Sequence, residues 1–293
     1  MRQGVCYFLA GRGHALGLTV SLWSLRKHYS GLVSILTPEP EGLSQSIAAD
    51  ARLNASIQFM PLCEGRRHSA NVTKTWMHRY SPFETNVFID ADAYIVKPIE
   101  FLFTQMKYGD DDALVCVNTL SPSHFRLATN WVKLTTFSNW HVQDSAVAQR
   151  VQKFIPFGKD IESLVKQRYK DNHPAVNTGV FAWSGKPKFL EAVHELAVKC
   201  RSVFIPDECA AQLLFPDYMH EVDLVDDRWN CSPKFGVHWD DRRIVHCHGS
   251  KFLANRSKVE WLALLKEVWD NDVGGVRRWV SGEDNDFVRL AIQ

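Results

Sequence analysis

The chain has 293 residues, room for one large domain or two small ones, and its 45% hydrophobic and 23% charged residues are those of an ordinary soluble globular protein. A net charge of +1 provides no bulk field for nucleic acid or an acidic membrane. No 18-residue apolar run and no basic-then-apolar amino terminus occur, and the seven cysteines stand singly without C-x-x-C. These features predict no integral membrane segment, no secretory signal and reduced thiols in a cytoplasmic setting.

In chain order, residues 4–10 predict a buried strand and 17–29 an amphipathic helix, with Leu18, Leu22 and Leu25 on one side. A strand over 32–37 is stopped by Pro38 and Pro40, and a helix around 42–52, a strand over 55–62 and a helix over 73–80 follow. The segment 86–96, NVFIDADAYIV, reads as the next strand, and 113–118 as another. Strands separated by helices of this length imply right-handed crossovers and a mainly parallel sheet. Residues 119–172 are less regular and aromatic, with Phe125, Trp131, Phe137 and Trp140. A strand over 177–183, a helix over 189–200, a strand over 244–248 and an apolar-faced helix over 259–269 complete the pattern. Trp261, Leu265 and Trp269 on that last helix fit core packing better than membrane contact, since its polar face is mixed rather than basic. The expected fold is a single α/β domain with a mixed, mainly parallel central sheet flanked by helices. It divides into a nucleotide-binding half (1–118), an acceptor-side half (119–258) and a helical tail (259–293).

Asp-x-Asp occurs four times, at Asp90/Asp92, Asp110/Asp112, Asp270/Asp272 and Asp284/Asp286. Three lie in polar or glycine-containing surroundings and read as solvated turns. Only Asp90 and Asp92 interrupt an apolar run, where an unpaired buried charge is costly. Residues i and i+2 of a strand share a face, so the two carboxylates are expected to converge at the ligand-binding edge of the sheet. A hard divalent cation, Mn²⁺ or Mg²⁺, is the partner that best justifies them. Downstream, His246 and His248 end an apolar strand, and an acid pair plus one imidazole suits Mn²⁺. Gly249 permits close backbone approach, and Lys251 is a point charge suited to a diphosphate.

The segments FIDADAYIV, NTGVF, DECAAQLLF, RWN and VHCHGSKF, in that order, resemble the metal-dependent GT-A glycosyltransferases. The nearest likeness is to glycosyltransferase family 8, the glycogenin and galactosyltransferase-like group, over roughly residues 5–252. The resemblance implies transfer of a sugar from a nucleotide-diphosphate sugar, a UDP-sugar, to a carbohydrate or other hydroxyl acceptor, with retention. It implies metal binding by Asp90, Asp92 and His246, with His248 as the alternative because H-x-x-G-x-K-F is one residue shorter than the family form. It places Ala10, Gly11, Lys74 and Ala91 at the donor nucleotide, Asn177, Thr178 and Gly179 against the donor sugar, and Gly249 and Lys251 at the diphosphate. Asp207 and Glu208 become the candidate catalytic pair, although the family carries Asp-Gln there. Trp140, Trp229 and Asn230 are expected at the acceptor.

Two other readings fit parts of the chain. A sugar-phosphate nucleotidyltransferase would share the fold, but its glycine-rich opening motif is absent. A metal-dependent carbohydrate-binding relative without turnover would keep the acid pair.

Overall fold

A computed structural model describes residues 2–63, 69–105, 113–117, 176–199, 206–233, 238–247 and 255–293. The first strands and helices alternate: β1 (Gln3–Phe8), α1 (Ala15–Arg26), β2 (Leu32–Thr37), α2 (Leu43–Ala48), β3 (Ala55–Phe59), α3 (Ser69–Lys74) and β4 (Thr85–Ile89). Then come β5 (Ala93–Ile95), α4 (Glu100–Thr104), β6 (Ala113–Val117) and β7 (Val176–Ser184). The remainder comprises α5 (Lys188–Lys199), α6 (Pro206–Leu214), β8 (Val222–Val225), β9 (Ile244–His246), α7 (Lys258–Asp270), α8 (Val276–Trp279) and α9 (Glu283–Ile292). Seven strands form a sheet in the order β3-β2-β1-β4-β7-β6-β8. The strands β3, β2, β1 and β4 are parallel, while β7 runs antiparallel to both β4 and β6. The fold is therefore α/β with a mixed, mainly parallel sheet, as expected from the sequence.

Period-2 patterning divides the core between the two sheet faces. Val5, Tyr7, Val33, Ile35, Val87 and Ile89 face α1 and the carboxyl-terminal helices. Cys6, Phe8, Leu36 and Phe88 face α5 and α6. Helix α7 buries Trp261, Leu265 and Val268 in the first of these cores, with Trp269 packed against it. It is tied to α1 by the Trp23 indole, which donates to Glu267 at 2.8 Å. The apolar face of α7 is thus covered by the protein itself. No helix among the described residues is long and apolar enough to cross a membrane.

Two expected elements differ in form. The segment 86–96 is not one strand: β4 ends at Ile89, and β5 leaves the main sheet to pair antiparallel with β9. Between them the Ala93 amide closes a tight turn onto the Asp90 carbonyl at 3.0 Å. Two ionised groups inside a fully covered sheet would lose their hydration, and the chain resolves this by turning at the acids. The expected helix over 73–80 is also broken. Helix α3 starts earlier and ends at Lys74, and a separate 3₁₀ turn covers Met77–Arg79.

Candidate active site

The site lies where β4 leaves the sheet. The Asp90 amide donates to the Gly179 carbonyl at 2.8 Å, which extends the β4–β7 pairing by one residue before the turn. Asp92 then stands beside β9, because its carbonyl accepts the Cys247 amide at 3.0 Å and Ala93 pairs with His246. The convergence of Asp90 and Asp92 therefore comes from a turn, and not from i, i+2 alternation along a strand.

That pairing carries His246 onto the acids. Its Nε2 lies 3.1 Å from Asp92 Oδ1 and 3.7 Å from Asp90 Oδ2, and the three residues each offer a ligand atom within 4.8 Å of the others. The imidazole lies directly over β7. A Cβ built on Gly179 would come within 2.1 Å of His246 Cε1, so only glycine at 179 leaves space for the ring. His248, Gly249, Lys251 and Trp140 lie outside the described residues.

Lys74, the last residue of α3, enters from the other side. Its buried ammonium sits 3.1 Å from Asp90 Oδ2 and 2.8 Å from Asp207 Oδ2. Asp207 Oδ2 also accepts the Thr178 hydroxyl at 2.6 Å, and Glu208 Oε1 accepts Asn177 Nδ2 at 2.6 Å. Both acids open α6 just after Pro206, where the helix dipole favours negative charge and proline needs no amide partner. A further side chain from α6, Gln212, accepts the Val176 amide at 2.9 Å and ties α6 to the start of β7. Asp207 Oδ1 and Glu208 Oε2 are buried without a hydrogen-bond partner among the described residues.

The electrostatics follow from this crowding. Burial raises the Asp90 carboxyl above its ordinary value; Lys74 opposes the shift, and the neighbouring Asp92 adds to it. Burial and the charge of Asp207 push the Glu208 carboxyl up to about 8. For His246, burial favours the neutral ring, but Asp92 and Asp90 outweigh it and raise its affinity for a proton. The same contest at Lys74 is won by Asp207 and Asp90, which keep the ammonium charged. Four carboxyl groups share a small volume with one lysine and one histidine. A hard divalent cation fits this donor set: two carboxylate oxygens and one imidazole converge, and its charge would balance the acids.

Residues from the β1–α1 connection lie at the carboxyl end of the neighbouring strand. Ala10 is half-buried, and Gly11 has φ 136°, a conformation that favours glycine. Gly11 lines a cavity of about 500 Å³ together with Arg12, Thr37, Glu39, Arg278 and Trp279. Thr178 and Ala91 stand within the turn-and-strand framework of the acids.

Two of the residues expected at the acceptor, Trp229 and Asn230, lie in the interior. Trp229 is buried, stacked on Phe101 at 5.2 Å with the Arg243 guanidinium over its ring. Asn230 is buried too, hydrogen-bonded to His246 and Asn177. The sequence carried no signal for that pairing, because Asn230 reaches His246 through the bridge between Cys231 and Val245, and Asn177 through the packing of β7 beneath the ring.

No family model matches the chain, and no curated protein matches it. Solved structures do match. The bifunctional glycosyltransferase WbbM is 12% identical, with a TM-score of 0.60, over 92% of this chain, which spans half of that protein's length. The galactosyltransferase LgtC, solved with donor and acceptor sugar analogues, is 12% identical with a TM-score of 0.55, over 97% of this chain and 99% of its own. Mouse xyloside xylosyltransferase 1 is 12% identical with a TM-score of 0.50, over 84% of this chain and 97% of its own. The chain thus has the GT-A glycosyltransferase fold.

Proposed function

We propose that the protein is a metal-dependent glycosyltransferase that moves a sugar from a nucleoside diphosphate sugar, a UDP-sugar, to a hydroxyl acceptor. The observation that carries this reading is the meeting of Asp90, Asp92 and His246 at the carboxyl end of β4, with Lys74 buried beside them. Open α/β sheets bind ligands at that end, and the glycosyltransferase fold gives the position its meaning.

Asp90, Asp92 and His246 would hold a divalent ion, Mn²⁺ or Mg²⁺, which as a Lewis acid supplies stabilisation for charge on a departing diphosphate. The protein's own groups do the positioning. Lys74 is fixed by Asp90 and Asp207 and adds a positive charge that needs no reorganisation during the reaction. Asn177 and Thr178 on β7 hold Glu208 and Asp207, leaving Glu208 Oε2 and Asp207 Oδ1 without a partner among the described residues. A carboxyl group beside an anomeric carbon stabilises an oxocarbenium-like transition state, and we assign that role to Asp207 and Glu208 with retention of configuration. Gly11 and the cavity beside it offer room for the donor's nucleoside.

The test is a panel of nucleotide sugars incubated with Mn²⁺ and assayed for nucleoside diphosphate release. Turnover of one donor, lost in a chelator, is expected. Full activity in the chelator would remove the metal from the mechanism. Proton NMR of the first-formed product is expected to show the donor's anomeric configuration, and an inverted product would overturn retention alone.

A further inference from the structure

Asn177 and Asn230 connect the metal-ligating histidine to the acid pair, and the direction of every hydrogen bond among them can be worked out. The Gly179 backbone N–H can only donate, and it meets Asn177 Oδ1 at 2.7 Å. That fixes the Asn177 amide, so its Nδ2 points to Glu208 Oε1. The atom of Asn230 that lies 2.5 Å from Asn177 Oδ1 must then be a donor, Nδ2. Asn230 Oδ1 is left facing His246 Nδ1 at 2.9 Å, where it can only accept. The Nδ1 proton of His246 is therefore held by Asn230, so Nε2, beside Asp90 and Asp92, is the nitrogen whose proton a metal ion would replace.

We propose that Asn230 is the positioning residue that sets the tautomer of His246 for metal binding, held in its orientation by Asn177 and the Gly179 amide. This rests on the metal-dependent reading of the site. A histidine free to carry its proton on Nε2 would present N–H toward the acids and would have to shed or move that proton before ligating. An accepting oxygen on Nδ1 removes the alternative and raises the basicity of Nε2. Asn230 belongs to the interior rather than to an acceptor surface because both ends of its amide are engaged and its exposure is 6%.

Mn²⁺ alone is the probe, titrated into the metal-free full chain and followed by the electron paramagnetic resonance signal of the free ion. Wild type is expected to bind, and Asp92→Asn to lose binding. Asn230→Leu is expected to weaken Mn²⁺ by about 10- to 100-fold, the range for outer-shell partners, with an unchanged far-ultraviolet circular dichroism spectrum. Nitrogen-15 NMR of the histidine-labelled full chain, at a pH where the ring is neutral, is expected to show the His246 proton on Nδ1, a signature that a packing role would not give. The wild-type spectrum also serves as the reporter should Asn230→Leu fail to fold, since a proton on Nε2 of the neutral ring would overturn the proposal. If wild type binds Mn²⁺ and folded Asn230→Leu binds it equally, the positioning role falls while the metal site stands. If wild type binds no Mn²⁺, the metal reading falls and takes this inference with it.

Discussion

Two Asp-Asp-His clusters lie among the described residues, and their compositions are identical. Asp90, Asp92 and His246 form one; Asp226, Asp227 and His238 form the other, and each gathers its ligand atoms within 4.8 Å. In the second cluster Asp226 is clamped by Arg228, whose Nε lies 2.9 Å from both carboxylate oxygens and whose backbone amide adds a bond at 3.1 Å. Arg228 continues to Asp241, which also meets Lys97, so the acids there end in a chain of fixed cations. The carboxyl groups respond in opposite directions. Burial raises Asp90 above its ordinary value, whereas at Asp226 the Arg228 hydrogen bonds outweigh burial and hold the carboxyl below it. A bidentate guanidinium neutralises an acid and fills its lone pairs at once, leaving little for a metal ion. Lys74 does less, because a single ammonium shared between Asp90 and Asp207 cannot satisfy four neighbouring carboxyl groups. The number and geometry of the resident cations, rather than the count of ligands, separates a cluster that could hold a metal ion from an ion-pair network.

That contrast is broken most severely by exchanging one acid in each cluster. Asp92→Asn should lower Mn²⁺ affinity by more than about 100-fold, beyond the effect of an outer-shell partner, and abolish nucleotide-sugar turnover. Calorimetric titration and nucleoside diphosphate release measure the two losses, and retained Mn²⁺ binding would show that the clusters do not differ as argued.

Gly179→Ala acts on the first cluster through space. The added methyl must displace the His246 ring, so the variant should lose about 1–3 kcal/mol of stability, the range for overpacking a filled interior, together with Mn²⁺ affinity. Thermal melts and metal titration of the same sample check both; a stable variant with normal affinity would mean that the ring has room to move.

Glu208 gives a pH signature with no counterpart around Arg228. Its carboxyl ionises near 8 in the folded protein, against an ordinary value of 4.5. Between these values the folded chain holds a proton that the unfolded chain has released, so this group makes stability fall as pH rises from about 4.5 through about 8. Glu208→Gln should flatten the change in melting temperature between pH 6 and pH 9. An undiminished slope would assign that pH dependence to other groups.

The smallest effect is expected from Asp226→Asn. Arg228 and Asp226 are both partly exposed, at 38% and 34% of their side chains, so the variant should cost about 1 kcal/mol or less by thermal melt. Mn²⁺ affinity and turnover should stay at wild-type levels, and a marked fall in either would bring the second cluster into function.

The sequence determined the alternation of strand and helix up to β4, because strand period, helix period and proline stops are properties of neighbouring residues. It also singled out Asp90 and Asp92, since two acids inside an apolar run are costly unless something binds them. Their local form was not legible: a strand and a turn both place them side by side, and only the departure of β5 toward β9 made it a turn. His246 was legible as a candidate by type, but its meeting with Asp92 depended on strand pairing across most of the chain. The contacts of Trp229 and Asn230 were not legible for the same reason. Neither an indole stacked on Phe101 nor an amide poised between Asn177 and His246 leaves a local mark. Nor did Asp226 and Asp227 reveal beforehand that Arg228 would fold back on the first of them. Which carboxylates keep open lone pairs is decided by where buried cations come to rest, and long-range packing fixes that position.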